Sequence, residues 1–460
     1  MTNLTQKNKK LLLLGGDIIM LYLSLYLTLI LRYSWPFEDG LWERHFNPFA
    51  IVFLIWLVVF YIFGLYDTTK QRNILPFYTL LGKAIGVNAI IALTFFYSIP
   101  NLGISPKRVL IFYLIISTIL IYIWRRVYNS LLQSKAAENN ILIIGINNRI
   151  KEVIEHINKN PQLGYRVKTI INDENKNTDD IKGEKKIING NDFDLAKIIK
   201  EEKIQTIVNS IDHRYNPKLA KQLYKNLSSK ISFFDLPTFY EELIGKIPVN
   251  LINEIWFLEN LNENKKNLYE TSKRLMDIAL SSIGLIVSIP ILPILAIAIR
   301  ADSKGPVFFT QIRTGKDGKE FLAMKLRTMV KDAEKDGAQW ANKNDSRITR
   351  LGNFLRKTRI DEIPQLINVF RGEMSFIGPR PERPEFITTL EEHIPFYKQR
   401  LIVKPGLSGW AQINFPYGAS IEDSMEKMQY DLFYVKNRSL ILDFSIILKT
   451  INTVLRGGGR

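Results

Sequence analysis

Four apolar runs in the first 135 residues limit this chain more than any other feature. Leu11 to Leu31 is almost unbroken hydrocarbon, about 21 residues and enough for one bilayer crossing. Comparable runs recur near residues 49–66, 78–99 and 109–124. A cleaved signal peptide does not suit the first run. No small-residue cleavage site follows it, and three more apolar runs do. Lys7, Lys9 and Lys10, then Lys70 and Arg72, then Arg125, Arg126 and Lys135 fall on one side of this zigzag. Arg32 and Arg44 fall on the other among Glu38, Asp39 and Glu43, and Lys107 and Arg108 also lie there. The positive-inside rule puts both ends of the four-helix unit in the cytoplasm. Asp17 is the one acid within a span, near its interface, so no ion pathway is implied.

Beyond residue 135 the chain reads as soluble. Charged residues make up 23% of the whole, and the net charge is +17. That charge suits an anionic lipid surface, and the spans exclude an ordinary nucleic-acid binder. Cysteine is absent, and the four histidines, at 45, 156, 213 and 393, are scattered. Disulfide frameworks, thiolate metal sites and His-ligated hydrolases are thereby excluded.

Between residues 136 and 250, short β-branched runs alternate with helical ones: Ile141 to Gly145, Tyr165 to Asn172, Lys186 to Ile188, Ala196 to Lys203 and Ile204 to Ser210. This pattern predicts a small parallel α/β domain. Its first turn reads Gly145-Ile-Asn-Asn-Arg. The second and third glycines of a dinucleotide fingerprint are missing, so a scaffolding or regulatory Rossmann-like domain is expected. A linker over 251–270 leads to a last domain over 271–460.

That domain opens with a basic segment, Lys273-Arg274-Leu-Met-Asp277, and an apolar run from Ile278 to Ile299 interrupted by Pro290 and Pro293. Both flanks are basic, with Arg300 and Lys304 following. Proline removes a backbone donor and bends a helix. A kinked, re-entrant helix that returns to the side it entered is expected, with Pro290 at the break; a straight fifth span is the alternative. Phe308 to Met329 reads as a hairpin turning at Gly315-Lys-Asp-Gly318, with Lys325 and Arg327 on one face if extended. Residues 332–345 read as a mobile polar loop. Leu440 to Leu455 is an amphipathic helix suited to a membrane surface or to packing.

Asp361 and Glu362 stand together among Arg350, Arg356, Lys357, Arg359, Arg371, Arg380 and Arg383. Paired acids within cations serve phosphoryl transfer: the acids attack phosphorus or hold a metal, and the cations neutralise phosphate oxygens. Acids at a helix start with a solvated charged face would look similar. Thr358 is placed to cap such a helix, with both acids in its first turn and free N–H groups ready for phosphate.

The segments KRLMD (273–277), GPVFFTQIRTG (305–315), MKLRTM (324–329), LGNFLRKTRIDEIPQLINVFRGEMSFIGPRP (351–381), KPGLSGWAQIN (404–414) and YDLFYVKNRSLILD (430–443) occur in one order. In this order they resemble the bacterial sugar transferase family, the monotopic phosphoglycosyl transferases. With the four spans and the Rossmann-like domain, the whole chain resembles the large form. The fold implied is membrane α plus α/β: four transmembrane helices, a Rossmann-like domain and a membrane-associated α/β catalytic domain with a re-entrant helix. The reaction implied moves sugar-1-phosphate from a UDP-sugar to undecaprenyl phosphate, releasing UMP. It would be the first membrane step of a surface polysaccharide such as capsule or O-antigen, on the cytoplasmic face of the bacterial inner membrane. By resemblance, Asp361 is the nucleophile and Glu362 the partner acid holding Mg²⁺. Arg356, Arg380, Lys325, Arg327 and Lys404 are implied phosphate-binding cations. A homodimer is compatible with such a chain.

Two departures stand out. Many members carry Ser-Pro at the helix break, where this chain has Ile289-Pro290. Many also read Asn-Gly-Arg where this chain has Asn414-Phe-Pro416-Tyr-Gly418, so one nucleotide or sugar contact is altered. Two other readings differ in class. A membrane-anchored nucleotide-sugar dehydratase or epimerase would need an intact glycine fingerprint and a Tyr-x-x-x-Lys pair after Gly145. A non-catalytic scaffold would not need Asp361 and Glu362 among cations.

Overall fold

The computed structural model describes residues 6–36, 38, 40–98, 106–133, 139–172, 185–190, 193–211, 217–226, 231–261, 266–331, 333, 345–415, 418 and 420–455. The polar loop expected over 332–345, the side chains of Lys7, Lys107 and Arg108, and Lys135 fall almost wholly outside them. The chain divides into two compact units, residues 1–239 and 240–460.

In the first unit, α1 (Gln6–Tyr33), α2 (Leu41–Ile62), α3 (Leu75–Ser98) and α4 (Pro106–Gln133) are the four expected helices. All are long and apolar enough to cross a membrane. Large apolar side chains such as Leu54, Ile90 and Ile115 point outward, as lipid-facing residues do. Small residues let spans approach closely: a methyl group on Gly16 would overlap the Trp124 indole. Asp17 is fully buried and ion-paired with buried Arg125 at 2.6 Å. Tyr66 donates to the same carboxylate at 2.7 Å, and Arg125 also donates to the Leu65 carbonyl. The charges are matched within the bundle, as burial in a membrane demands.

The sheet follows with β1 (Asn139–Ile144), α5 (Asn148–Lys159), β2 (Tyr165–Asn172), β3 (Lys186–Asn189), α6 (Leu195–Glu201), β4 (Thr206–Asn209), α7 (Pro217–Lys225) and β5 (Ser232–Asp235). Its strand order is β3-β2-β1-β4-β5, parallel throughout. The strand order reverses between β1 and β4, where such folds place ligands. Here Gly145 (φ 88°) turns the chain, and a methyl group on it would stand 2.4 Å from Ser210 Oγ. The Ser210 and Ile211 side chains thus crowd the backbone that a pyrophosphate would approach. Several contacts fasten the sheet domain to the bundle, among them contacts from two basic side chains. Arg72 donates to Gln162 Oε1 at 2.9 Å, and Lys9 donates to the Leu163 carbonyl at 2.6 Å.

The second unit begins within α8 (Leu236–Ile244) and continues with α9 (Glu254–Asn260). Next, α10 (Asn267–Ser288) and α11 (Ile291–Asp302) form one apolar helix bent by 61°, the geometry of a broken span or a re-entrant loop. Pro290 sits at the break, where its missing N–H cannot continue the ladder. The hairpin β6 (Phe308–Thr314) and β7 (Glu320–Leu326) is antiparallel. Then come α12 (Arg350–Thr358), α13 (Gln365–Arg371), β8 (Ser375–Ile377), α14 (Pro384–His393), β9 (Gly406–Ser408), α15 (Trp410–Asn414), α16 (Ile421–Asn437) and α17 (Leu440–Leu455). β8 and β9 pair in parallel. Ile377, Tyr434, Val435 and Ile446 form a buried core beneath that pair.

Candidate active site

Asp361 and Glu362 do not open a helix. Thr358 is the last residue of α12, and its hydroxyl donates back to the Phe354 and Leu355 carbonyls. It is therefore not a cap for the acids. The chain reverses at Arg359, a left-handed residue (φ 59°, ψ 14°), and the acids lie on the single 3₁₀ turn Ile360–Glu362. A non-glycine residue in that conformation costs about 1–3 kcal/mol and persists where surrounding packing dictates it. On one side, α12 is set close to the segment that follows β7. Thr349 caps α12 by accepting from Gly352 N–H at 2.9 Å, and a methyl group on Gly352 would clash with the Thr328 carbonyl at 2.1 Å. On the other side, buried Asn368 of α13 donates to the Leu322 carbonyl at 2.8 Å and accepts from Met324 N–H at 3.2 Å. That side chain fixes β7, and with it Lys325, against the acid turn.

Three cations converge on Glu362. Arg380 reaches Oε1 at 2.9 Å, Lys325 the same oxygen at 3.3 Å, and Arg359 reaches Oε2 at 3.3 Å. Burial alone would push this carboxyl up, but Arg380, Lys325 and Arg359 outweigh it and hold Glu362 well below the usual carboxylate range. Asp361, 6% exposed, has the opposite environment. Burial and then the Glu362 charge raise its pKa, and Lys325, Arg356 and Arg380 only partly offset them. Its Oδ1 has no hydrogen-bond partner among the described residues. Burial lowers Lys325 to about 8 despite Glu362 nearby. Neighbouring acids with pKa values driven apart are a signature of divided chemical roles.

Arg356 also belongs to this group. Its charge acts on Asp361 while its Nε donates to Thr328 Oγ1 at 2.8 Å. Arg380 is held from behind. The Gly378-Pro-Arg-Pro381 turn is fastened to β6 through Thr314 N–H to the Glu382 carbonyl (2.9 Å) and Arg313 to the Pro381 carbonyl (3.1 Å). Arg400 donates to the Arg380 carbonyl at 2.8 Å and is ion-paired with buried Asp431, also at 2.8 Å. No role for Arg400, or for Asp431 of the 430–443 segment, was legible in the sequence, because their pairing joins positions 31 residues apart.

Two expected phosphate ligands lie elsewhere. Arg327 falls just past the end of β7 and is buried. It donates to the Ile299 and Ser303 carbonyls at 3.2 and 2.6 Å, where a cation suits the negative end of α11. Lys325 and Arg327 thus do not share a task. Lys404 lines a separate small cavity with Lys273, Arg274 and Asp277. The KRLMD segment has a structural use there. Lys273 pairs with Asp443 at 2.9 Å. Arg274 donates to the Val369 and Phe370 carbonyls at the end of α13, and Asp277 accepts from Ser375 Oγ and Phe376 N–H, both at 3.0 Å. These contacts tie the bent helix to α13, β8 and α17.

No cluster of three or more His, Asp or Glu side chains suited to a metal occurs among the described residues. The acid pair does fit an ion bound largely by phosphate oxygens and water, as Mg²⁺ usually is. Asp361 Oδ1 is an open oxygen ligand, and Glu362 stands ionised next to it.

Comparison with known proteins identifies the family. The family model described as bacterial sugar transferase matches residues 268–457, and one described as a CoA-binding domain matches residues 61–227. A UDP-glucose:undecaprenyl-phosphate glucose-1-phosphate transferase from Xanthomonas campestris pv. campestris is 30% identical over 88% of this chain and 86% of its own length. A putative undecaprenyl-phosphate N-acetylgalactosaminyl 1-phosphate transferase from Bacillus subtilis (strain 168) is 52% identical over 29% of this chain and 74% of its own length. A UDP-N-acetylgalactosamine-undecaprenyl-phosphate N-acetylgalactosaminephosphotransferase from Aeromonas hydrophila is 40% identical over 50% of this chain, which spans about half, 53%, of that relative's length. With the acid turn, its ring of cations and the bent apolar helix all in the matched region, the chain belongs to the bacterial sugar transferase family.

Proposed function

We propose that the protein transfers sugar-1-phosphate from a UDP-sugar to undecaprenyl phosphate by way of a covalent aspartyl intermediate. The observation that carries this reading is the contrast within the acid pair: Glu362 is held by three cations while Asp361 Oδ1 is buried and unpartnered. A buried carboxylate with a raised pKa is a stronger base, and so a better nucleophile, than a solvated one. In the first step an Asp361 oxygen bonds to the sugar-bearing phosphorus. The phosphoanhydride bond breaks, and UMP leaves with the bonding pair. In the second step an oxygen of the lipid phosphate bonds to the same phosphorus. The aspartyl P–O bond breaks and the carboxylate is regenerated. Arg380, Lys325 and Arg356, grouped around the acid turn, would neutralise the charge that non-bridging phosphate oxygens gain.

Asp361 and Glu362 would hold Mg²⁺ together with the diphosphate; the ion would supply charge neutralisation for the leaving UMP. The bent helix α10–α11 is read as re-entrant, since basic residues flank both of its ends and the prolines permit the return. That puts the acid turn beside the lipid surface. The catalytic unit would face the cytoplasm at the bacterial inner membrane, in the initiating step of a surface glycan.

The test uses full-length protein in membranes with undecaprenyl phosphate and Mg²⁺, and a UDP-sugar panel that includes UDP-glucose and UDP-N-acetylgalactosamine. Wild type should release UMP and transfer radiolabelled sugar phosphate to lipid. Without acceptor, the label should remain on the protein at Asp361. Asp361→Asn should lose activity by at least about a thousandfold. Equal activity in the two would end the nucleophile assignment, and no UMP from any sugar would end the reaction class.

A further inference from the structure

Beside the acid turn lies an open cleft of about 290 Å³ that the chemistry above does not use. Its walls are mainly apolar, with Ser408, Gln412, Thr450 and Thr453 among them: Ile363 just before α13 and Leu366 in its first turn, Phe376 and Leu407 from β8 and β9, and Ile447 and Ile451 from α17. Ile447, Thr450, Ile451 and Val454 follow helical spacing, so α17 turns one continuous face to the cleft. The charged residues that line it are Arg359 and Glu362, two members of the cation-and-acid group. The cleft is therefore amphiphilic, hydrocarbon along its length and reaching a phosphate-handling site.

Its other side reaches an exposed apolar stripe. Ile441 (85% exposed), Phe444 and Ile451 lie on α17 at helical spacing. Ile451 both lines the cleft and takes part in this stripe, so the cleft opens sideways onto the surface best suited to meet lipid. On α10, the Ile283, Ile286 and Val287 side chains are likewise exposed, and Gly284 touches Leu366 of the cleft wall: a methyl group there would stand 2.8 Å from Leu366 Cδ1. The bent helix thus packs behind one wall of the cavity that α17 lines.

We infer that this cleft holds the first isoprene units of the polyprenyl phosphate acceptor, entering sideways past α17 with the phosphate beside Arg359. The inference rests on the proposed reaction, which brings a phosphate with an attached hydrocarbon tail to Asp361. The apolar walls match the tail, and the Arg359 cation matches the head. An ordinary phospholipid also has an anionic head and an apolar body, but it has no phosphate that must reach Asp361.

The test is photolabelling of the full-length protein in nanodiscs with a polyprenyl phosphate bearing a diazirine in its first isoprene unit. Label is expected in the Leu407–Gln412 and Ile447–Val454 segments. Excess undecaprenyl phosphate should suppress it, and dioleoyl phosphatidic acid should not. Ile451→Trp fills the cleft from its rim. It should cut the labelling and raise the KM for undecaprenyl phosphate about tenfold or more, the effect of losing one buried apolar contact, without changing the KM for the UDP-sugar. Ile441→Trp, on the exposed part of the same helix, should change neither. Label confined to other segments, or equal suppression by phosphatidic acid, overturns the inference. So does wild-type labelling in Ile451→Trp. The labelling needs no turnover, so it is read separately from UMP release, whose failure would count against the reaction itself.

Discussion

Arg380 donates to Glu362 Oε1 at 2.9 Å, from a turn whose own carbonyl is held by Arg400. The second acid of the pair is thus tied, through one arginine, to the buried Arg400–Asp431 ion pair, between the 3₁₀ turns of Tyr397–Ile402 and α16. Arg380→Ala should lower kcat/KM by about 10²–10³, the usual effect of removing a group that stabilises transition-state charge. Arg380→Lys should recover only part, since a point charge does not replace the planar fork. Steady-state UMP release measures both. Wild-type rates in Arg380→Ala would remove this residue from the site.

The Arg400–Asp431 pair separates stability from positioning. Asp431→Ala leaves Arg400 buried without its acid and should destabilise the catalytic unit by about 3–5 kcal/mol. Arg400→Met combined with Asp431→Leu removes both charges and should recover most of that stability in thermal unfolding. It should still show a lowered kcat, because the Arg380 carbonyl has lost its anchor. A double variant with full activity would make the pair purely structural.

Three glycines meet where β8 and β9 pair. A methyl group on Gly378 would stand 2.3 Å from the Lys404 carbonyl, one on Gly406 2.1 Å from Gly378 N, and one on Gly409 2.2 Å from the Gly378 carbonyl. Backbone atoms cannot move aside as a side-chain tip can. Gly378→Ala should displace the turn that carries Arg380, lowering activity more than about a hundredfold. Limited proteolysis should find the four-helix unit unchanged. Gly82→Ala, where no atom lies within 4 Å of the added methyl group, serves as the control.

In the membrane unit, Asp17→Asn strands Arg125 among apolar side chains. A loss of about 3–5 kcal/mol is expected, as for other buried pairs broken on one side. It should appear as a lower melting temperature in detergent with the intrinsic UMP-release rate per folded molecule preserved. An unchanged melting temperature would mean that water reaches Arg125.

Much of this architecture was legible from residue patterns. The four spans, the parallel sheet and the proline break follow from hydropathy, β-branching and a missing N–H, which are local properties. Lys325, Arg356, Arg380, Asp361 and Glu362 do come together. What failed to read correctly depended on contacts distant in sequence. Thr358 suggested a cap, but the left-handed turn at Arg359 moves it to the end of the preceding helix. Alternation along a strand put Arg327 beside Lys325, yet β7 ends at Leu326, and the free carbonyls of α11 claim that side chain. Asn368 gave no signal, because a buried amide bridging a strand and a helix has no sequence spacing of its own.

The fastening of α10 to the acid turn has a consequence for where the reaction occurs. Arg274 grips the end of α13, Asp277 grips β8, and Gly284 abuts Leu366, all on one helix that bends by 61° at Pro290. On the re-entrant reading proposed above, such a helix would act as a depth gauge: as the bilayer thickened or thinned, the carboxylates would keep one height above the plane in which the helix floats, and a water-borne donor and a lipid-borne acceptor would meet at the same level in every encounter.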